Sequence, residues 1–219
     1  LPPFRNEPFT DFTVEENRKA MEAARETVAG RFGETGRLLI DGRWVALRET
    51  FASYDPSTKD RVLGRFAKGG AAEARKGIEA AERAFQSWRF VPAGERAGYL
   101  LAAAAAMRRR KFELAATMVH EVGKNWAEAD GDVAEAIDFC EFYAREALRL
   151  AADQPLTRLA GERNELRYIP LGVGAGERAL LVAEKLALEE RLGDGAAIDG
   201  DERSAMARAV RVHGPGHQL

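Results

Sequence analysis

VHEVGKNWAEADGDVAEAIDFCEFYAREALRL, residues 119–150, is the stretch whose reading decides the fold. It reads as a turn at Gly123-Lys124-Asn125 followed by one long amphipathic helix. Val133, Ile137, Cys140 and Ala144 recur at the three-to-four-residue spacing of a buried face. Glu135, Phe139 and Phe142 form a second set with the same spacing, which aligns a carboxylate with two aromatic rings. A helix with two such faces is expected in the middle of a larger assembly.

Working outward, the preceding residues predict two shorter helices. Glu95 to Lys111 offers Leu100, Leu101 and Ala104 for packing, and Phe112 to about Val122 stops at Gly123. The Met107-Arg108-Arg109-Arg110-Lys111 end puts cations where the helix dipole favours them. Without interleaved aromatics, that run reads as a solvated face rather than a nucleic-acid patch. Further back, Ala71–Trp88 carries Ile78, Ala81 and Phe85 on one face and stops before Pro92.

The first half mixes helix and strand. Residues 1–13 read as irregular. Thr13 and Glu16 match a capping box opening a helix from Val14 to about Phe32, ended by Gly33. In RLLIDGRWV, 37–45, two apolar runs flank Asp41-Gly42, a strong hairpin signal. A strand over 51–58 breaking at Asp55-Pro56 and another over 61–68 complete a small antiparallel element. Beyond the long helix, NELRYIPLGV, 164–173, is predicted to be a strand, and Ala179–Leu192 a helix. Residues 193–202 are Gly- and Asp-rich, Arg203–Val212 is weakly helical, and the end is an irregular tail.

Bulk properties narrow the function. The net charge of −2, from 33 basic and 35 acidic residues, gives no general reason to bind nucleic acid or acidic membranes. A single cysteine excludes an intrachain disulfide and fits a reducing compartment. No signal-like or membrane-spanning apolar run is present, so a soluble, cytoplasmic protein is expected. Leu1 opens the sequence in place of Met, as in a trimmed or incomplete chain.

Most candidate sites read as structural. Gly172-Val-Gly174-Ala-Gly176 misses the dinucleotide spacing and puts Glu177 near any phosphate, so a flexible connection is expected. His213 and His217 are separated by Gly-Pro-Gly and lack further ligands, so no metal site is expected. His120 reads as structural, and Cys140 as a buried, inert thiol. Glu135 has two readings: an ion pair within the fold, or a contact to substrate.

Three segments carry a resemblance: FRNEPFTDFTVEENRKAM (4–21), the stretch 87–150 that includes EVGKNWAEADGDVAEAIDFCEFYAR, and RYIPLGVG (167–174). Over about residues 4–174 the chain resembles the N-terminal part of bacterial 1-pyrroline-5-carboxylate dehydrogenases, of the aldehyde dehydrogenase superfamily. The resemblance implies an α/β fold: the mostly helical N-terminal part of an aldehyde dehydrogenase-like domain, with a small antiparallel sheet and the Rossmann-like core largely absent. It implies oxidation of L-glutamate γ-semialdehyde to glutamate with NAD, in proline catabolism. It also implies Glu135 as the contact to the substrate's amino end, with Phe139 facing the same pocket.

The departure comes after Gly174, where AGERALLVAEK replaces the family's second strand and P-[WF]-N-F-P motif. Truncation, a frame change and divergence are all compatible with it. Residues 1–174 are thus expected to form the family-like part and 175–219 a divergent tail. The family's catalytic cysteine and cofactor motifs have no counterpart here, so no catalytic residue, bound NAD or activity is expected of this chain alone. An assembly module is the alternative, joined to a second copy through strand 164–173.

Overall fold

The computed structural model describes residues 1–157 and 159–174. The element order is α1 (Glu15–Ala29), β1 (Glu34–Gly36), β2 (Leu38–Ile40), β3 (Arg43–Val45), β4 (Thr50–Asp55), β5 (Thr58–Ala67), α2 (Ala71–Trp88), α3 (Ala93–Arg109), α4 (Lys111–Val122) and α5 (Trp126–Ala151). No helix among these residues is long and apolar enough to cross a membrane.

The core is a helical packet. Met21 and Val28 of α1 meet Ala104 and Met107 of α3, Leu114 to Ala116 of α4, and Ala129, Val133, Ile137 and Cys140 of α5. Alanines occupy many of the buried positions, so the helix backbones can approach closely. Full burial of Ile137 removes its side chain from water, a gain of about 1.5–3 kcal/mol.

The turn between α4 and α5 works as its residue types predict. Gly123 takes φ 70°, the left-handed conformation that closes α4, and its N–H donates to Val119 O at 3.2 Å. Two residues on, the Asn125 side chain accepts from Glu128 N at 2.9 Å and caps α5.

The small sheets add one feature to the expectation. The hairpin at Asp41-Gly42 forms, with φ values of 54° and 71°, and pairs Leu38 with Val45. β4 and β5 pair antiparallel across Asp55-Pro56, where the Asp55 carboxylate accepts from Ser57 N at 2.8 Å. The addition is β1, which pairs parallel to β5 in the order β1-β5-β4. Its three residues, Glu-Thr-Gly, carry no apolar alternation from which to read a strand.

Four expectations are corrected. The Thr13 capping box is not made: Thr13 Oγ1 donates to Asp11 Oδ1 at 2.7 Å, and extended Val14 stands at the helix start. The first helix ends at Ala29, with turns filling the span to Gly33. On α2 the buried residues are Ala80 and Trp88, while Ile78 is half exposed. The segment 164–173 forms no strand. Both of its alternating sets face solvent, from Leu166 and Tyr168 to Ile169 at 81% exposure. A strand needs a ladder partner, and no described residue supplies one. The predicted helices over 179–192 and 203–212, His213, His217 and Gly176 lie outside the described residues.

Candidate functional site

The site candidate is the outer face of α5. The Glu135 side chain is exposed and makes no hydrogen bond or ion pair with another described residue. The ion-pair reading of Glu135 is therefore not realised among them. One turn on, Phe139 stacks on Tyr143 with centroids 5.8 Å apart and planes 9° apart. Tyr143 meets Phe142 edge-on at 5.6 Å, and Phe142 meets Phe4 edge-on at 5.6 Å. A carboxylate free for a cation thus borders a continuous row of four rings, an arrangement suited to an ammonium group with an apolar chain.

Behind this face the same helix is dry. Burial pushes the Cys140 thiol up to about 11, with the Glu141 charge adding to the shift. At neutral pH it is a thiol, not the thiolate that nucleophilic chemistry requires. His120 is buried against the Phe32 ring at 5.1 Å, and burial followed by the Arg25 charge holds its pKa below the usual value. No described group of three His, Cys, Asp or Glu side chains is placed to hold a metal.

The contacts that fasten the N-terminal arm to α5 join residues far apart in sequence. The irregular arm 1–13 lies along α5. Asp138 accepts from Glu7 N and Asn6 Nδ2, both at 2.7 Å. Two turns earlier, buried Asp130 accepts from Thr10 N at 2.8 Å and Thr10 Oγ1 at 2.5 Å, and pairs with Lys111 at 3.0 Å. Arg145 Nε donates to Pro2 O at 3.0 Å. The cationic end of α3 joins in: Arg108 bridges Glu7 and Glu141 at 2.7 Å each, and Lys111 Nζ donates to Pro8 O at 2.9 Å. The basic run reads as solvated in sequence, yet Arg108 and Lys111 are internal fasteners. The available signal was Asp130, a carboxylate in line with the buried stripe of Val133, Ile137, Cys140 and Ala144.

The Gly172 and Gly174 positions form no phosphate-cradling turn among the described residues. Gly172 and Gly174 sit at the end of a segment that forms no strand, and no described helix follows to present its N–H groups.

A family model for the aldehyde dehydrogenase family matches residues 44–176. The chain belongs to the aldehyde dehydrogenase family. Among its relatives, the 1-pyrroline-5-carboxylate dehydrogenase of Bacillus pumilus (strain SAFR-032) is 46% identical over 171 residues, covering 78% of this chain and 33% of that protein. A solved 1-pyrroline-5-carboxylate dehydrogenase from Thermus with bound NAD is 50% identical, with a TM-score of 0.75 over 78% of this chain and 33% of that one. The Mycobacterium tuberculosis Delta-pyrroline-5-carboxylate dehydrogenase is 26% identical, with a TM-score of 0.71 over 79% of this chain and 32% of its own. The chain thus spans about a third of the length of the aldehyde dehydrogenases it matches.

Proposed function

We propose that residues 1–174 are the substrate-recognition part of a 1-pyrroline-5-carboxylate dehydrogenase. The whole enzyme oxidises L-glutamate γ-semialdehyde to glutamate with NAD. The observation that carries this reading is the exposed, unpaired Glu135 carboxylate one turn from Phe139. Glu135 receives the substrate's ammonium end, and Phe139 lies along its methylene chain. A family match that ends at residue 176 supports a boundary near Gly174, with 175–219 a separate tail. The single cysteine, without a disulfide partner, fits a reducing, cytoplasmic setting.

The 219-residue chain has no turnover by itself. Its one thiol, Cys140, is buried and protonated, so no nucleophile is available to attack an aldehyde. NADH formation from glutamate γ-semialdehyde and NAD, followed at 340 nm with the purified chain, is the test. A steady rate above the protein-free control overturns this reading.

A second reading, a non-catalytic assembly module, has one observation in its favour. Leu159, Leu166, Tyr168, Ile169 and Leu171 stand exposed within thirteen residues, from 51% to 91%. Such a run favours association between chains. Static light scattering over a concentration series separates the two readings, because a monomer at every concentration rules the module out.

A further inference from the structure

We propose that the N-terminal arm completes the site on α5, with Phe4 and Asp138 as positioning residues for the rings beside Glu135. The inference rests on the reading of Glu135 as a substrate contact. Phe139, Phe142 and Tyr143 are 48%, 42% and 39% exposed. Half-exposed rings on a helix surface exchange among rotamers unless something abuts them. Among the described residues, the ring contact from outside α5 comes from Phe4, edge-on to Phe142 at 5.6 Å. Phe142 then meets Tyr143, and Tyr143 stacks on Phe139, one turn from Glu135.

Phe4 is itself held from both sides. Arg145 grips Pro2 O before it, and Asp138 takes Asn6 and Glu7 after it, with both carboxylate oxygens in use. Asp138 directly precedes Phe139 on the helix, so the clamp on the arm and the ring beside Glu135 share one turn of backbone. The arm contains no helix or strand of its own, and its path is set by these contacts. Losing either fastening frees Phe4, and the effect passes along the rings to Phe139.

The test is NMR of the aromatic side chains in the 219-residue chain, alone and titrated with L-glutamate as the probe. F4A and D138A are expected to shift the Phe139 and Tyr143 ring signals in the same direction. The double variant is expected to add nothing further, because both act through one contact. F4Y keeps the ring and D138N keeps an oxygen for Glu7 N–H, so both are expected to return the signals towards their original positions. Ring signals unmoved in F4A and D138A, or simple additivity in the double variant, overturn the positioning role. If F4A does not fold, F4L keeps the bulk without the ring and gives the same comparison. Glutamate-induced shifts are expected to disappear in E135Q and to weaken in F4A and D138A; undiminished shifts in the arm variants also overturn the proposal. Coupled rings with no glutamate response in the unsubstituted chain count against the reading of Glu135 and leave the coupling in place.

Discussion

On one face of α5, Val133, Ile137, Cys140 and Ala144 are each at most 4% exposed. On the opposite face, Glu135, Phe139 and Phe142 repeat at the same spacing and stand in solvent. Helical periodicity does not distinguish them, because both stripes satisfy it equally. The difference is what arrives from elsewhere: three helices cover the first face, and only the edge of an irregular arm reaches the second. An apolar stripe is thus a demand for a partner, and it does not say whether the partner belongs to the same fold.

The sharpest way to break this comparison is at the one carboxylate in line with the buried face. Asp130→Ala strands Lys111, whose side chain is only 11% exposed, and releases Thr10. Breaking a buried pair from one side is expected to cost about 3–5 kcal/mol, read by urea denaturation. On the buried face, Ile137→Ala leaves a cavity and is expected to lower stability by about 3 kcal/mol in the same assay.

Glu141 tests an intermediate environment. Burial alone pushes its carboxyl up, but hydrogen bonds from Arg145 and Arg108 outweigh that and hold it below the usual value. Because the folded pKa is depressed, its stabilisation is present above the unfolded value and is lost as the pH falls through the folded one. Glu141→Gln is expected to cost about 1 kcal/mol at pH 7, after allowance for solvent screening. The gap to the unsubstituted chain should close in acid, followed by denaturation at a series of pH values. On the outer face, Phe139→Ser is expected to change stability by no more than about 0.5 kcal/mol. A loss as large as that of Ile137→Ala would mean that the two faces are not different in kind.

Much of the fold was legible where the determinants are local. Asp41-Gly42 specifies its hairpin through residues that tolerate positive φ, and Gly123 ends α4 for the same reason. The strand break at Asp55-Pro56 follows from one carboxylate capping its own turn. Legibility failed where the partner is distant. Thr13 has the residue type of a cap, but Asp11 takes its hydroxyl. Arg108 and Lys111 look like solvated cations until the arm, about a hundred residues away, meets them. The alternation over 164–173 reads as a strand, but alternation supplies side chains for a sheet and not the neighbouring backbone that makes one. Of the site, spacing alone aligned Glu135 with Phe139, and the family resemblance implied their role towards a substrate. The roles of Phe4 and Asp138 were not readable, since Phe4 meets Phe142, and Asp138 meets Asn6 and Glu7, across chain separations of more than 130 residues.

By itself, the sequence determined that 119–150 holds a glycine-ended turn and a long helix with two apolar stripes. Those properties follow from a 3.6-residue period and from backbone preferences confined to neighbouring residues. Only the tertiary structure decided which stripe is buried, and that Glu135 stands unpaired beside a row of rings. It also laid an arm without secondary structure along that helix, with Phe4 edge-on to Phe142. Burial and pairing are relations between distant segments, and no single segment contains them.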